Sequence, residues 1–283
     1  MKKWSGREFI KRLMMSRFDV ERLELDRLIC RHGMVGLRTS QQDLVSLLEK
    51  LAPVACADHP LIRMGASGDG GYLIPDDLEG IHSCFSPGVS SISRFEKDCA
   101  DLGMSVFMAD KSVIRPTEEH PLFNFTRKHI GVIETEEFMT MDGWVRTVCP
   151  RNDTDLLLQM DIEGAEYAAL LDMSRELLHR FRIIVCEFHL LDHLWSNAFY
   201  LVAAGVFNKI LATHKCLHIH PNNSSQIIER DGLVIPSIME FTFLRKDRIT
   251  TCTPARTFPH PLDADCTARP TMILPECWRT NEP

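Results

Sequence analysis

Short apolar runs recur between residues 81 and 247, separated by stretches in which apolar positions return at helical spacing. "IHSCFS" (81–86) is predicted as a strand, and "SRFEKDCADLG" (93–103) as a helix ending at Gly103. "SVFMAD" (105–110) and "KHIGVI" (128–133) read as the second and third strands, and "EEFMTMDGWVRTV" (136–148) as a helix. "DLLLQMDI" (155–162) is the most strand-like run and precedes the helical "GAEYAALLDMSRELLHR" (164–180). "FRIIVCEFH" (181–189) is another buried strand; a helix over 192–214 leads into "CLHIHP" (216–221), and "SIMEFTFLRKD" (237–247) alternates like an edge strand.

Continuous apolar strands alternating with helices predict an α/β fold, a doubly wound, mostly parallel sheet covered on both faces. The segment between the last two strands, "PNNSSQIIERDGLVIP", has no long helical period, so the final strand is expected to run antiparallel. Residues 1–57 read as a helical extension. In "TSQQDLVSLLEKLAPV", Leu44, Leu47, Leu48 and Leu51 share a face, Ser40 and Asp43 fit a helix cap, and Pro53 closes the segment. This arm is expected to pack on the main domain (58–250) or to join two copies of the chain. The tail 251–283, with prolines at 254, 259, 261, 270 and 275, reads as irregular.

Composition narrows the partners. A net charge of −7 without a basic block excludes duplex nucleic acid and anionic membrane surfaces as expected partners, and no run is long and apolar enough to span a bilayer. The positively charged start lacks an apolar core and is not read as a leader. None of the ten cysteines forms a C-x-x-C pair, and several sit inside apolar runs. They read as small buried hydrophobes in a reducing, cytoplasmic setting.

Ligands of open α/β sheets bind beyond the carboxyl ends of the strands. There the chain places Gly88, then Asp110, then Asp161 and Glu163, then Glu187 and His189, then His218, His220, Asn222 and Asn223. A glycine in the first strand–helix turn and an acid closing the second strand fit a nucleoside site, the acid accepting ribose hydroxyls. The full G-x-G-x-x-G is absent, which disfavours a pyrophosphate cofactor such as NAD and leaves S-adenosylmethionine as the better-matched ligand.

"DLLLQMDIEGAEYAALL" resembles the signature of FkbM-type S-adenosylmethionine-dependent methyltransferases, an apolar strand ending in Asp-x-Glu-Gly-Ala-Glu. "GDGGYLIPDDL" (68–78), "SPGVSSISRFE" (86–96), "VFMAD" (106–110), "VCEFH" (185–189), "CLHIHPNNSS" (216–225) and "IPSIMEFTF" (235–243) agree in order. The resemblance implies a class I methyltransferase fold with a seven-stranded sheet and O-methylation of a sugar or natural-product hydroxyl. The first-strand motif departs from a glycine-rich pattern, so cofactor contacts there rest on Ser86, Gly88 and neighbouring backbone, with Asp110 and Asp161 beside them.

A hydroxyl acceptor must lose its proton to a base or a metal. His189 and Glu187, with Asp161, are the expected catalytic groups, and Tyr72, Glu163, His220 and Asn222 the expected acceptor contacts. Asp161, Glu187, His189, His218 and His220 form a candidate set for a divalent metal. Glu166 reads as serving the helix start, and Arg63 as pairing with a ligand carboxylate or at the surface. Glu240 faces either water or the histidines. A nicotinamide-dependent oxidoreductase and a non-catalytic interaction module remain the alternatives.

Overall fold

The computed structural model describes residues 37–89, 92–150 and 154–280. Most of the expected 1–57 arm, and with it the expected contact between copies, lies outside the described residues. Its described part, 37–57, holds helix α1 (Gln41–Leu51), which buries Leu44, Leu47, Leu48 and Leu51, and ends in the strand Val54–Cys56 where helix was expected. Ser40 Oγ caps the helix by accepting from Asp43 N at 3.1 Å.

Seven strands make one sheet: β1 (Ser83–Pro87), β2 (Ser105–Ala109), β3 (Phe123–Thr126), β4 (Leu156–Met160), β5 (Phe181–Phe188), β6 (His214–Pro221) and β7 (Met239–Arg245). Their order is β3-β2-β1-β4-β5-β7-β6. Only β7 runs against its neighbours, the other pairings being parallel. This is the mixed α/β, mostly parallel sheet the pattern predicts, with its antiparallel last strand.

β4 and β5 are buried at every position because alternate side chains enter two different cores. Leu156, Leu158, Met160, Ile184, Cys186 and Phe188 pack on one face. That face also receives α1, α3 (Met141–Val148), α4 (Glu166–Asp172) and α6 (Asn197–Thr213). Leu157, Ile183 and Val185 pack on the other, under α2 (Arg94–Asp101) and the hairpin Leu61–Gly65/Gly71–Pro75. Each buried aliphatic or aromatic side chain contributes about 1.5–3 kcal/mol.

Four details differ from the pattern. The third strand lies at Phe123–Thr126, while His129–Ile130 pairs with Phe138–Met139 as a separate ladder. An edge strand tolerates the outward Asn124, so "FNFT" fits there without a longer apolar run. The helix expected from 136 starts only at Met141, where Thr140 Oγ1 accepts from Gly143 N at 3.0 Å. The helical stretch 164–180 breaks in two, because Ser174 caps a new helix α5 (Arg175–Arg180) by accepting from Leu177 N. β7 is not an edge: it inserts between β5 and β6. Its alternating polar residues face a buried polar layer rather than water, Thr242 donating to Leu73 O at 2.6 Å.

The tail is not merely irregular. Cys252–Pro254 pairs antiparallel with Val54–Cys56, and Leu274 and Trp278 lie in the first core.

Phe85 on β1 contacts the rings of Phe107, Trp144 and Phe181 at 5.0, 5.1 and 6.1 Å. Phe85→Ala should therefore lower unfolding stability by about 3–5 kcal/mol in a denaturant titration; a loss below about 1 kcal/mol would contradict this packing.

Candidate active site

The strand order runs outward in opposite directions from β1 and β4, and a cavity of about 340 Å³ opens at their carboxyl ends. Gly88, Asp161, Glu163, Glu187 and His189 line it from the sheet, Asp69, Gly70 and Tyr72 from the hairpin, Phe95 and Glu96 from α2. Asn222, Ser224, Cys266 and Thr267 close the far side.

Its floor is a row of polar side chains at matching positions on adjacent strands. Ser86 Oγ lies 2.6 Å from Glu96 Oε1 and 2.7 Å from Gln159 Oε1. One hydroxyl proton cannot serve two acceptors. Burial pushes the Glu96 carboxyl up against the pull of the Ser86 hydroxyl, which donates either to Glu96 or to Gln159. Gln159 Nε2 in turn donates to Tyr72 Oη at 3.2 Å. Further along, Glu187 on β5 is paired in register with Glu240 on β7, and Glu240 with His220 on β6.

The charged centre is His189, 8 % exposed, just beyond β5. Its Nε2 lies 3.4 Å from Glu163 Oε2, 3.6 Å from Glu187 Oε1 and 3.9 Å from Asp161 Oδ1. Its Nδ1 is 3.3 Å from Glu166 Oε1, an ion-pair contact too poorly aligned to be a hydrogen bond. Tyr167 Oη fixes the backbone here by donating to His189 O at 2.8 Å. Glu163 and Gly164 both take positive φ, 55° and 100°, which swings the Glu163 side chain outward to 86 % exposure. The turn is pinned by Glu166, which is fully buried and accepts from Ile162 N and Gly164 N. Glu166 thus serves the turn, as expected, and also faces His189.

Burial pushes Asp161 up to about 6, with Glu163 and Glu166 adding to it against the opposing pull of His189. Burial and Asp161 push Glu187 up to about 8. Burial alone would lower His189, but Glu166, Glu187 and Asp161 outweigh it and raise the imidazole to about 9. Burial, with Glu187 beside it, drives Glu240 well above the carboxylate range.

Gly88 lines the cavity and is also held to glycine by the neighbouring strand end. It has φ +97°, and a Cβ would lie 1.6 Å from the Asp161 carbonyl. Asp161 N donates back to Pro87 O at 3.3 Å, so the ends of β1 and β4 are locked together. The Asp110 carboxylate accepts from Val89 N and Ser112 N, steadying the first turn, and does not line the cavity. Ser86 lies in the floor beneath it.

His218 and His220 do not join the carboxylates around His189. β7 lies between β5 and β6, so the histidines stand two strand spacings away, roughly 9–10 Å. Asp263 from the tail takes them instead, at 2.8 Å from His218 Nε2 and 3.4 Å from His220 Nδ1. Burial opposes its ionisation, but the two histidines hold its carboxyl well below the usual range. Of the five candidate metal ligands, Asp161, Glu187 and His189 alone offer ligand atoms within 4.8 Å of one another. Asn222 Nδ2 donates to Glu187 Oε1 at 3.3 Å. Arg63 pairs with no carboxylate of the site; it donates to Ala66 O, Gly68 O and Leu262 O, holding the hairpin turn against the tail.

Periodicity alone misses Cys266, Thr267 and Asp263, because the tail has no repeat. Gln159, by contrast, carries a signal: a polar residue inside the fully buried "LLLQM" needs a polar partner.

A family model described as Methyltransferase FkbM domain matches residues 55–203. The chain belongs to this FkbM methyltransferase family. A comparison with curated proteins finds no match. The FkbM match spans β1–β5 and takes in Tyr72, Gly88, Asp161, Glu163, Glu187 and His189. Asn222, Ser224, Cys266 and Thr267 lie beyond it.

Gly88→Ala should displace Asp161 and lower the midpoint of thermal unfolding, with a loss of methyltransferase activity larger than the stability change explains. Wild-type midpoint and activity in that variant would refute the locked β1–β4 edge.

Proposed function

We propose that this protein is an S-adenosylmethionine-dependent O-methyltransferase acting on a hydroxyl of a small molecule, sugar or natural product. The observation that carries this reading is the charge of the cavity. Asp69, Glu96, Asp161, Glu163 and Glu187 line it, with His189 as the one cationic group among the lining residues. Asp161 Oδ1 is buried without a hydrogen-bond partner. Such a site fits a ligand bearing a sulfonium and an ammonium, and gives little purchase to the anionic pyrophosphate of a nicotinamide cofactor. The strand order supports the doubly wound, Rossmann-like arrangement of 58–250, with the tail docked against it. No helix of the described residues is long and apolar enough to cross a membrane. We assign the protein to the cytoplasm on the thiol reading of its cysteines, and expect neither nucleic acid nor membrane as partner.

S-adenosylmethionine, when bound, supplies a methyl group already activated for in-line displacement. The residues of the chain orient the acceptor and take its proton. His189 is the first base expected from the sequence, but within its ring of carboxylates it already holds a proton at neutral pH. Asp161, titrating near 6, is mostly ionised there and has an oxygen without a hydrogen-bond partner. We therefore assign proton abstraction to Asp161, with the His189 imidazolium steadying its charge and Glu187 holding Asn222 at the acceptor side. A second reading rests on the 4.8 Å grouping: Asp161, Glu187 and His189 could hold a divalent cation, whose chemistry would be to acidify the acceptor hydroxyl.

A thermal-shift panel tests the class of ligand. S-adenosylmethionine and S-adenosylhomocysteine should each stabilise the protein by a few kcal/mol at saturation, and NAD should not. Stabilisation by NAD alone would favour the oxidoreductase, and no shift with any of the three the interaction module. A cation binds best when Asp161, Glu187 and His189 have lost their protons. Raising the pH through about 6, 8 and 9 should thus tighten S-adenosylmethionine binding progressively, and more than that of the uncharged thioether. A flat profile would contradict this electrostatic account.

Once an acceptor is found, Asp161→Asn should cut turnover roughly 10²-fold or more while the fold is kept. Turnover that survives in Asp161→Asn removes the base assignment. Activity abolished by a chelator and restored by Mg²⁺ would establish the metal reading, and indifference to both would exclude it.

A further inference from the structure

Val54–Cys56 and Cys252–Pro254 pair antiparallel, with Cys56 directly opposite Cys252. Ala255 N donates to Pro53 O at 3.0 Å, which makes 53/255 a hydrogen-bonded position of this ladder. Alternation along the ladder then places Cys56 and Cys252 at a non-hydrogen-bonded position, where facing Cα atoms are about 4.5 Å apart and side chains are closest. That separation falls within the range a disulfide spans, roughly 4.4–6.8 Å. The two thiols are close enough that Cys252 helps to push the Cys56 thiol up.

The two sulfurs are unlike. Cys56 is buried, and burial with Cys252 beside it pushes its thiol up to about 11. Cys252 is half-buried and takes a hydrogen bond from the Lys215 ammonium at 3.2 Å. An ammonium donor sits on the sulfur that must carry negative charge when it attacks. Cys56 also lines a separate cavity of about 310 Å³, with His59, His218 and His260, so the pair is not sealed in the core.

We propose that Cys56 and Cys252 are a reversible thiol–disulfide site that staples the two roof elements of the active-site cavity at their common root. The hairpin carrying Asp69 and Tyr72 follows Cys56, and the tail carrying Asp263 and Cys266 follows Cys252. With glutathione disulfide as oxidant, the Cys252 thiolate attacks one of its sulfurs and releases a glutathione thiolate. Cys56 then gives up its proton, attacks Cys252 Sγ in the mixed disulfide and releases the second glutathione. Two protein thiols are oxidised, one disulfide is reduced, and the two protons end on the two glutathione thiols. In a reducing compartment such a pair stays open and closes only when the thiol pool is oxidised.

The test uses the full chain. After incubation with glutathione disulfide, alkylation of free thiols and digestion, mass spectrometry should find the Cys56 and Cys252 peptides joined, and separated again by dithiothreitol. The midpoint of thermal unfolding should rise by several degrees on oxidation and fall back on reduction. Cys252→Ser, at a half-buried position, should show neither change. Recovery of both cysteines as alkylated thiols after oxidation would overturn the proposal. So would Cys252 carrying glutathione alone, or the same thermal shift in Cys252→Ser.

Discussion

The site depends on one electrostatic constraint: four carboxylates, Asp161, Glu163, Glu166 and Glu187, surround a single imidazole. Two of them, Glu166 and Glu187, are almost fully buried. Like charges at such distances in a poorly solvated site cannot all be ionised, so protons or a cation must be present. His189 holds one proton and Glu187 retains another near neutrality. The rest of the edge keeps this arrangement rigid: Gly88 against the Asp161 carbonyl, Glu166 on the turn amides, Tyr167 on the His189 carbonyl.

The same constraint explains a sheet that is apolar along its length and polar at one end. Ser86, Gln159, Glu187 and Glu240 lie on the face that otherwise carries Leu157, Ile183 and Val185. Buried polar groups in an apolar layer need partners, and those of Ser86 and Gln159 form a continuous chain through Glu96 to Tyr72. The α2 helix and the hairpin therefore do more than cover apolar surface, since each contributes an end of that chain.

Much of this was legible in the chain. Asp161, Glu187 and His189 follow the two most continuous apolar runs, and a buried parallel strand delivers whatever follows it to the ligand edge. The sheet's antiparallel strand was legible from the absence of a helical period between 221 and 236. Strand order was not, because periodicity reports which segments are strands and not which are neighbours. His218 and His220 were therefore placed beside Glu187 when β7 in fact separates them. The tail was opaque for a related reason: Asp263 and Thr267 are held by side-chain contacts with His218, His220 and Asn223 that leave no repeat. Gly88 was read as giving a ligand room, and it lines the cavity, but the room it gives the neighbouring strand end could not be read from the chain.

The roof consists of two leaves fastened on opposite sides. The hairpin is tied to α2 and β7, through Gly65 N to Asp98 and Leu73 O to Thr242. The tail is tied to β6 and the segment after it, through Asp263 to His218 and Thr267 to Asn223. Arg63 bridges them, but its bond to Leu262 O is 3.4 Å, against 2.8 and 2.9 Å for its bonds within the hairpin. The leaves thus meet along a seam weaker than either attachment. Were the two leaves to part, that seam at Arg63 would open first, outside the ring of carboxylates, with the sheet unmoved.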